Sequence, residues 1–116
     1  MQEKDALGCA LIVEDPMIRR LVGGILKREG YAVIEAELEE ALRTLRDAPG
    51  TVSLLVTNVP GDFFEFAETL PVIYVAAFPD PALAGRFRHC RALRKPFRPG
   101  DLALCAAELA PPVLTV

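Results

Sequence analysis

A chain of 116 residues, 52% of them apolar, can fill one compact core but hardly a second. Thirteen Lys and Arg against sixteen Asp and Glu give a formal net charge of -3, which argues against nonspecific nucleic-acid or membrane binding as the work of the whole surface. No stretch has the length and apolarity of a membrane span, and the start Met1-Gln2-Glu3-Lys4-Asp5 lacks the basic opening of a secretion signal. Cys9, Cys90 and Cys105 are far apart and in no CxxC pair, so neither a disulfide framework nor a zinc site is indicated, and a cytoplasmic protein is expected.

The first run, Cys9 to Val13, is apolar without alternation, as in a parallel strand covered on both faces. Ile18, Leu21, Val22, Ile25 and Leu26 then recur at helical spacing. Asp15 is placed as N-cap with Pro16 in the first turn, and the helix closes at Gly30 after Lys27 and Arg28. A second strand, Ala32 to Glu35, leads to a helix from about Leu38 to Arg46 that ends before Pro49-Gly50, with Leu38, Ala41, Leu42 and Leu45 on one face. Val52 to Thr57, Val72 to Ala77 and Cys90 to Leu93 read as the remaining strands. A last helix from about Gly100 to Leu109 stops at Pro111-Pro112. Strands alternating with helices predict an α/β fold of right-handed βαβ units. One domain is expected over 1–116, with its core at about 8–110 and residues 111–116 as a tail or linker stub.

Two crossovers are short. Twelve residues separate Asn58 from Pro71. A returning helix that matches a five-residue strand needs roughly eleven, at 1.5 Å per residue against about 3.3 Å in the strand. With Val59-Pro60-Gly61 used in the turn, a stub of one or two turns or an extended connection is expected. Phe63, Phe66 and Leu70 would cover the sheet while Phe64 points elsewhere. The next crossover, Pro79 to Arg88, is restricted by Pro79 and Pro81. The charge is also uneven. Glu35, Glu37, Glu39 and Glu40 form an acidic block, whereas Arg86, Arg88, Arg91, Arg94, Lys95 and Arg98 form a basic run without an acid. His89-Cys90 opens like a phosphatase signature, but Pro96 stands where that signature needs Arg.

Ligands of open α/β sheets bind at the carboxyl ends of the strands. Three such ends carry Glu14-Asp15, Asn58 and Lys95-Pro96. With Leu11-Ile12-Val13-Glu14-Asp15-Pro16-Met17-Ile18-Arg19-Arg20, Gly30-Tyr31, Glu39-Glu40-Ala41-Leu42 and Arg94-Lys95-Pro96-Phe97, the chain resembles the receiver domain of bacterial two-component response regulators from about Ala10 to Leu109. The resemblance implies a flavodoxin-like five-stranded parallel sheet of order 2-1-3-4-5 and a cis bond before Pro96. In active members the acidic pair and a phosphoacceptor Asp hold Mg²⁺, the Lys contacts the phosphoryl oxygens, a Thr or Ser on the fourth strand senses them, and an aromatic on the fifth switches. Here Asn58 replaces the acceptor, Ala76 the sensor and Ala92 the aromatic, so the resemblance is to a degenerate member.

An amide cannot capture a phosphoryl group as a carboxylate does, and it removes one unit of ligand charge from a Mg²⁺ site. Glu14 and Asp15 are therefore expected to bind Mg²⁺ weakly or not at all. Lys95, with no phosphoryl group to meet, is expected to pair with Asp15. The leading function is a phosphorylation-independent protein-interaction module in signal transduction, not an enzyme. Its partner would be a histidine kinase, an output protein or a second copy, with no nucleic acid or membrane contacted directly. By resemblance, the partner surface is the basic run, with Arg86, Arg88, Arg91 and Arg94 as charged contacts and Phe64 as an apolar anchor. The alternatives are a receiver phosphorylated by a histidine kinase at Asp15 or Asp62, and a flavodoxin-like small-ligand binder, for which no glycine-rich phosphate loop is present.

Overall fold

In the computed structural model, which describes residues 8–111, five strands form one parallel sheet in the order β2-β1-β3-β4-β5. Strand β1 (Cys9–Val13) is followed by helix α1 (Pro16–Arg28), β2 (Ala32–Glu35), α2 (Leu38–Asp47) and β3 (Leu54–Thr57). A 3-10 segment (Pro60–Phe66) leads to β4 (Val72–Ala76), a single turn α3 (Pro81–Ala84), β5 (Cys90–Arg94) and α4 (Pro99–Leu109). The predicted class and strand order hold. Strand β3 begins two residues later than expected, with Val52 buried just ahead of it. Strand β4 stops at Ala76 instead of Ala77, and β5 runs on to Arg94. The expected linker at 111–116 lies, past Pro111, outside the described residues.

The side chains of β1 alternate between two cores, which is why the run shows no polar positions. Ala10 and Ile12 join Val22, Ile25 and Leu26 of α1, Val56, Val75, and Leu102 and Ala106 of α4 on one face. Leu11 and Val13 join Ala41 and Leu45 of α2, Leu55, Val72, Phe63 and Phe87 on the other. Helix α1 begins where Asp15 accepts a hydrogen bond from the Ile18 N–H at 3.2 Å. It ends in a Schellman motif, in which the Gly30 N–H donates to Lys27 O and the Tyr31 N–H to Leu26 O. Gly30 sits at φ 99, where a Cβ would be strained. The Tyr31 hydroxyl donates to Ala110 O at 2.7 Å and ties the end of α4 to the start of β2.

The short third crossover is the expected stub, two 3-10 turns with a kink at Phe63. Phe63 is fully buried and replaces, with one ring, much of what a helix would lay on the sheet. Phe64 departs from expectation. It packs on the same core and its ring meets Phe87 at 5.6 Å between centroids. The reason lies in the fourth crossover. With α3 reduced to one turn that buries nothing, Phe87 folds inward from the loop and supplies the surface on which Phe64 rests. No helix among the described residues is long and apolar enough to cross a membrane.

Candidate functional site

The carboxyl edge of the sheet gathers the residues that the sequence singled out. Val13 and Thr57 are the last paired residues of β1 and β3, so Glu14 and Asn58 leave the sheet side by side. Ala76 and Arg94 close the β4–β5 pairing, and the Lys95 N–H donates to Ala76 O at 2.8 Å, which sets Lys95 beside the end of β4. The Lys95-Pro96 bond is cis. Asn58 is exposed, and the turn that carries it is fastened by the buried Thr57, whose hydroxyl accepts from the Val59 N–H at 3.0 Å.

The two acids have separate employments. The Asp15 carboxylate is exposed and caps α1. The Glu14 side chain is wholly buried; its Oε1 accepts the Asp15 N–H at 2.9 Å, and its Oε2 lies 2.9 Å from the Lys95 ammonium. That ammonium sits off the ideal hydrogen-bond angle, so Oε2 has a charge partner but no aligned donor. The expected pairing of Lys95 with Asp15 is thus corrected to Glu14. A carboxylate committed to a helix N-terminus at the surface gains little from an ammonium, whereas a buried carboxylate requires one.

This arrangement does not fit a divalent ion. Mg²⁺ takes six hard oxygens, preferably with charge. Here the Asp15 and Glu14 carboxylates beside Asn58 are held by a helix end and an ammonium, and Asn58 offers a neutral oxygen. Among the described residues no group of three or more His, Cys, Asp or Glu side chains could hold a metal ion. Asp62 is exposed in the first 3-10 turn.

Ala76 and Ala92 each carry only a methyl group. Ala76 is half-buried at the end of β4, and Ala92 is exposed on β5 opposite Tyr74. The single turn of α3 buries no residue. Beside it the Tyr74 hydroxyl accepts the Asp80 N–H at 3.2 Å and pins the loop after β4, a role for which the sequence carried no local signal.

The basic run does not form one face. Strand alternation sends Arg91 and Arg94 to opposite sides of β5. Arg91 pairs with Glu108 of α4 at 3.2 Å, whereas Arg94 lies over the exposed Phe78 ring, 5.2 Å from its centre. Arg86 covers the Phe64 ring at 4.1 Å, so Phe64 is less available as an anchor than its sequence context suggests. Arg88 and Arg98 are exposed, with no side-chain partner among the described residues. The three thiols are half-buried, and burial pushes each of them up, away from nucleophilic use.

No protein-family model matches the chain, and no curated protein does. Solved structures do. The chemotaxis response regulator CheY4 of Vibrio cholerae is 23% identical, with 89% of this chain and 98% of that one covered at a TM-score of 0.72. A response regulator receiver domain protein from Clostridium thermocellum is 19% identical, covering 89% and 94% at 0.72. The receiver domain of the hybrid histidine kinase CckA is 25% identical, covering 88% and 98% at 0.67. The fold of this chain is the receiver-domain fold.

Proposed function

We propose that this chain is a degenerate receiver domain of a two-component pathway, one that acts by binding a protein partner without a phosphorylation cycle of its own. The observation that carries the reading is Asn58, an amide at the end of β3 beside the acidic pair, where phosphoryl capture needs a carboxylate. Ala76 and Ala92 support it. Neither has a group to report a phosphoryl event or to change rotamer with one, and the shortened α3 leaves little helix to move. Mg²⁺ binding is correspondingly weak, in the range of roughly a millimolar or poorer.

The partner is a protein in this reading: a histidine kinase, an output protein or a second copy, met in the cytoplasm. The unengaged Arg88 and Arg98 are the charged contacts best placed to grip its carboxylates. The test is incubation with a small phosphodonor and Mg²⁺ followed by intact-mass measurement. The mass is expected to stay unchanged. A phosphoryl adduct mapped to Asp15 or Asp62 would replace this reading with that of a receiver using another carboxylate.

A further inference from the structure

We propose that the Lys95 ammonium is the resident cation of this edge. It neutralises Glu14 in place of a divalent ion and ties the turn after β5 to the end of β1 in a single cation-independent arrangement. The inference deepens the reading above, since it takes the edge as the degenerate form of a phosphoryl site.

Three observations converge on it. The Glu14 side chain has no solvent exposure, so its charge must be met inside the protein. Of its two oxygens, one is held by the Asp15 N–H at 2.9 Å, and the other has the ammonium as its charge partner, also at 2.9 Å, with no aligned donor among the described residues. Lys95 itself is only about a quarter exposed, at 26%, and its backbone is fixed by the bond to Ala76 O, so the ammonium is delivered by the sheet and not by a free surface stem.

The charge count agrees. Two carboxylates, one ammonium and a neutral amide leave one net negative charge at this edge. An aspartate at 58 would leave two, enough to favour a divalent guest; with Asn58 one internal ammonium nearly balances the site. A divalent ion entering this edge would have to displace Lys95 from Glu14 and leave the ammonium half-buried without a partner. The same contact explains why the turn after β5 can be held without a bound ligand: β1 and β5 are not neighbours in the sheet, and this ion pair connects their ends.

The experiment compares the wild type, Lys95→Met and the double variant Glu14→Gln/Lys95→Met, each melted with MgCl₂ from zero to about 10 mM, with backbone amide shifts of Glu14, Asp15 and Lys95 followed in parallel. The wild-type midpoint and shifts are expected to be insensitive to Mg²⁺ below about 1 mM and to respond only at the top of the range. Lys95→Met is expected to melt lower and to recover with Mg²⁺, with an apparent affinity at least about tenfold tighter than wild type. The double variant is expected to melt above the single one and to ignore Mg²⁺. If Lys95→Met does not fold, folding of the double variant still demonstrates that Lys95 is needed only to meet Glu14. The proposal is overturned if the wild type already binds Mg²⁺ as tightly as Lys95→Met, or if removing Lys95 changes neither the melting nor the response to Mg²⁺. A phosphoryl adduct in the mass experiment would remove the functional reading and leave this result standing.

Discussion

Truncating Phe63 to alanine tests whether one buried ring does the work of the helix missing from the crossover between β3 and β4. Phe63 is fully buried, among Leu55, Val72, Leu70 and Phe87 of the second core, and sits at the kink of a segment too short to bury more. Removing a ring of this kind costs about 3–5 kcal/mol, the lost transfer energy plus the cavity that remains. Against a total stability of about 5–15 kcal/mol, that is a large part of the fold. At roughly 5 °C per kcal/mol for a domain of this size, the melting midpoint should fall by about 15–25 °C. Phe64 supplies the control. It is half-buried, and its truncation loses the ring contact with Phe87 and the Arg86 guanidinium above it, about 1–2 kcal/mol together. Urea unfolding followed by circular dichroism reads both variants, with the slope unchanged if only stability has moved. Equal costs for the two, or a cost below about 1 kcal/mol for Phe63, would refute the idea that the segment plugs the core through this residue.

Asn58→Asp alone should not restore a signalling response, because Ala76 and Ala92 are still unable to transmit it; phosphodonor-dependent shifts near Ala92 or new dimerisation in that variant would contradict this. Arg88→Glu should leave stability within about 0.5 kcal/mol of wild type. Arg91→Glu should lower it by roughly 0.5–1 kcal/mol by setting a second acid against Glu108, and chemical denaturation separates the two. The Arg46 guanidinium donates from Nε to Glu65 at 3.0 Å and holds that carboxyl below its ordinary value of 4.5. A depressed folded value stabilises the fold above the ordinary one and ceases to do so as pH falls through the folded value. The small deficit of Glu65→Gln in melting temperature should therefore be present at neutral pH and vanish in acid.

Much of the fold was legible because its signals are local. The unbroken apolar run from Cys9 to Val13 requires cover on both faces, and Asp15, Pro16 and Gly30 mark the ends of α1 with the groups that cap it. Counting residues between Asn58 and Pro71 was enough to predict the stub. What was missed depends on neighbours distant in sequence. Phe64 reads in the sequence as turned from the sheet and open to a partner because the inward turn of Phe87 arises from the shortening of another crossover; a lone aromatic between Arg86 and Arg88 is the available hint. The partner of Lys95 is Glu14 and not the expected Asp15, for a reason already present in the sequence. Naming Asp15 as the N-cap already committed its carboxylate, leaving Glu14 for the ammonium. The basic run looked continuous in sequence, and strand alternation divides it.

The central claim is that this receiver fold holds one state whatever phosphoryl chemistry surrounds it. The most direct measurement is a backbone amide spectrum of the wild-type protein recorded before and after addition of a small phosphodonor with Mg²⁺. Superimposable spectra are predicted, with the amides of Glu14, Asn58, Ala76 and Ala92 unmoved. Shifts that spread from Asn58 or Asp15 through Ala76 to Ala92 would contradict the account.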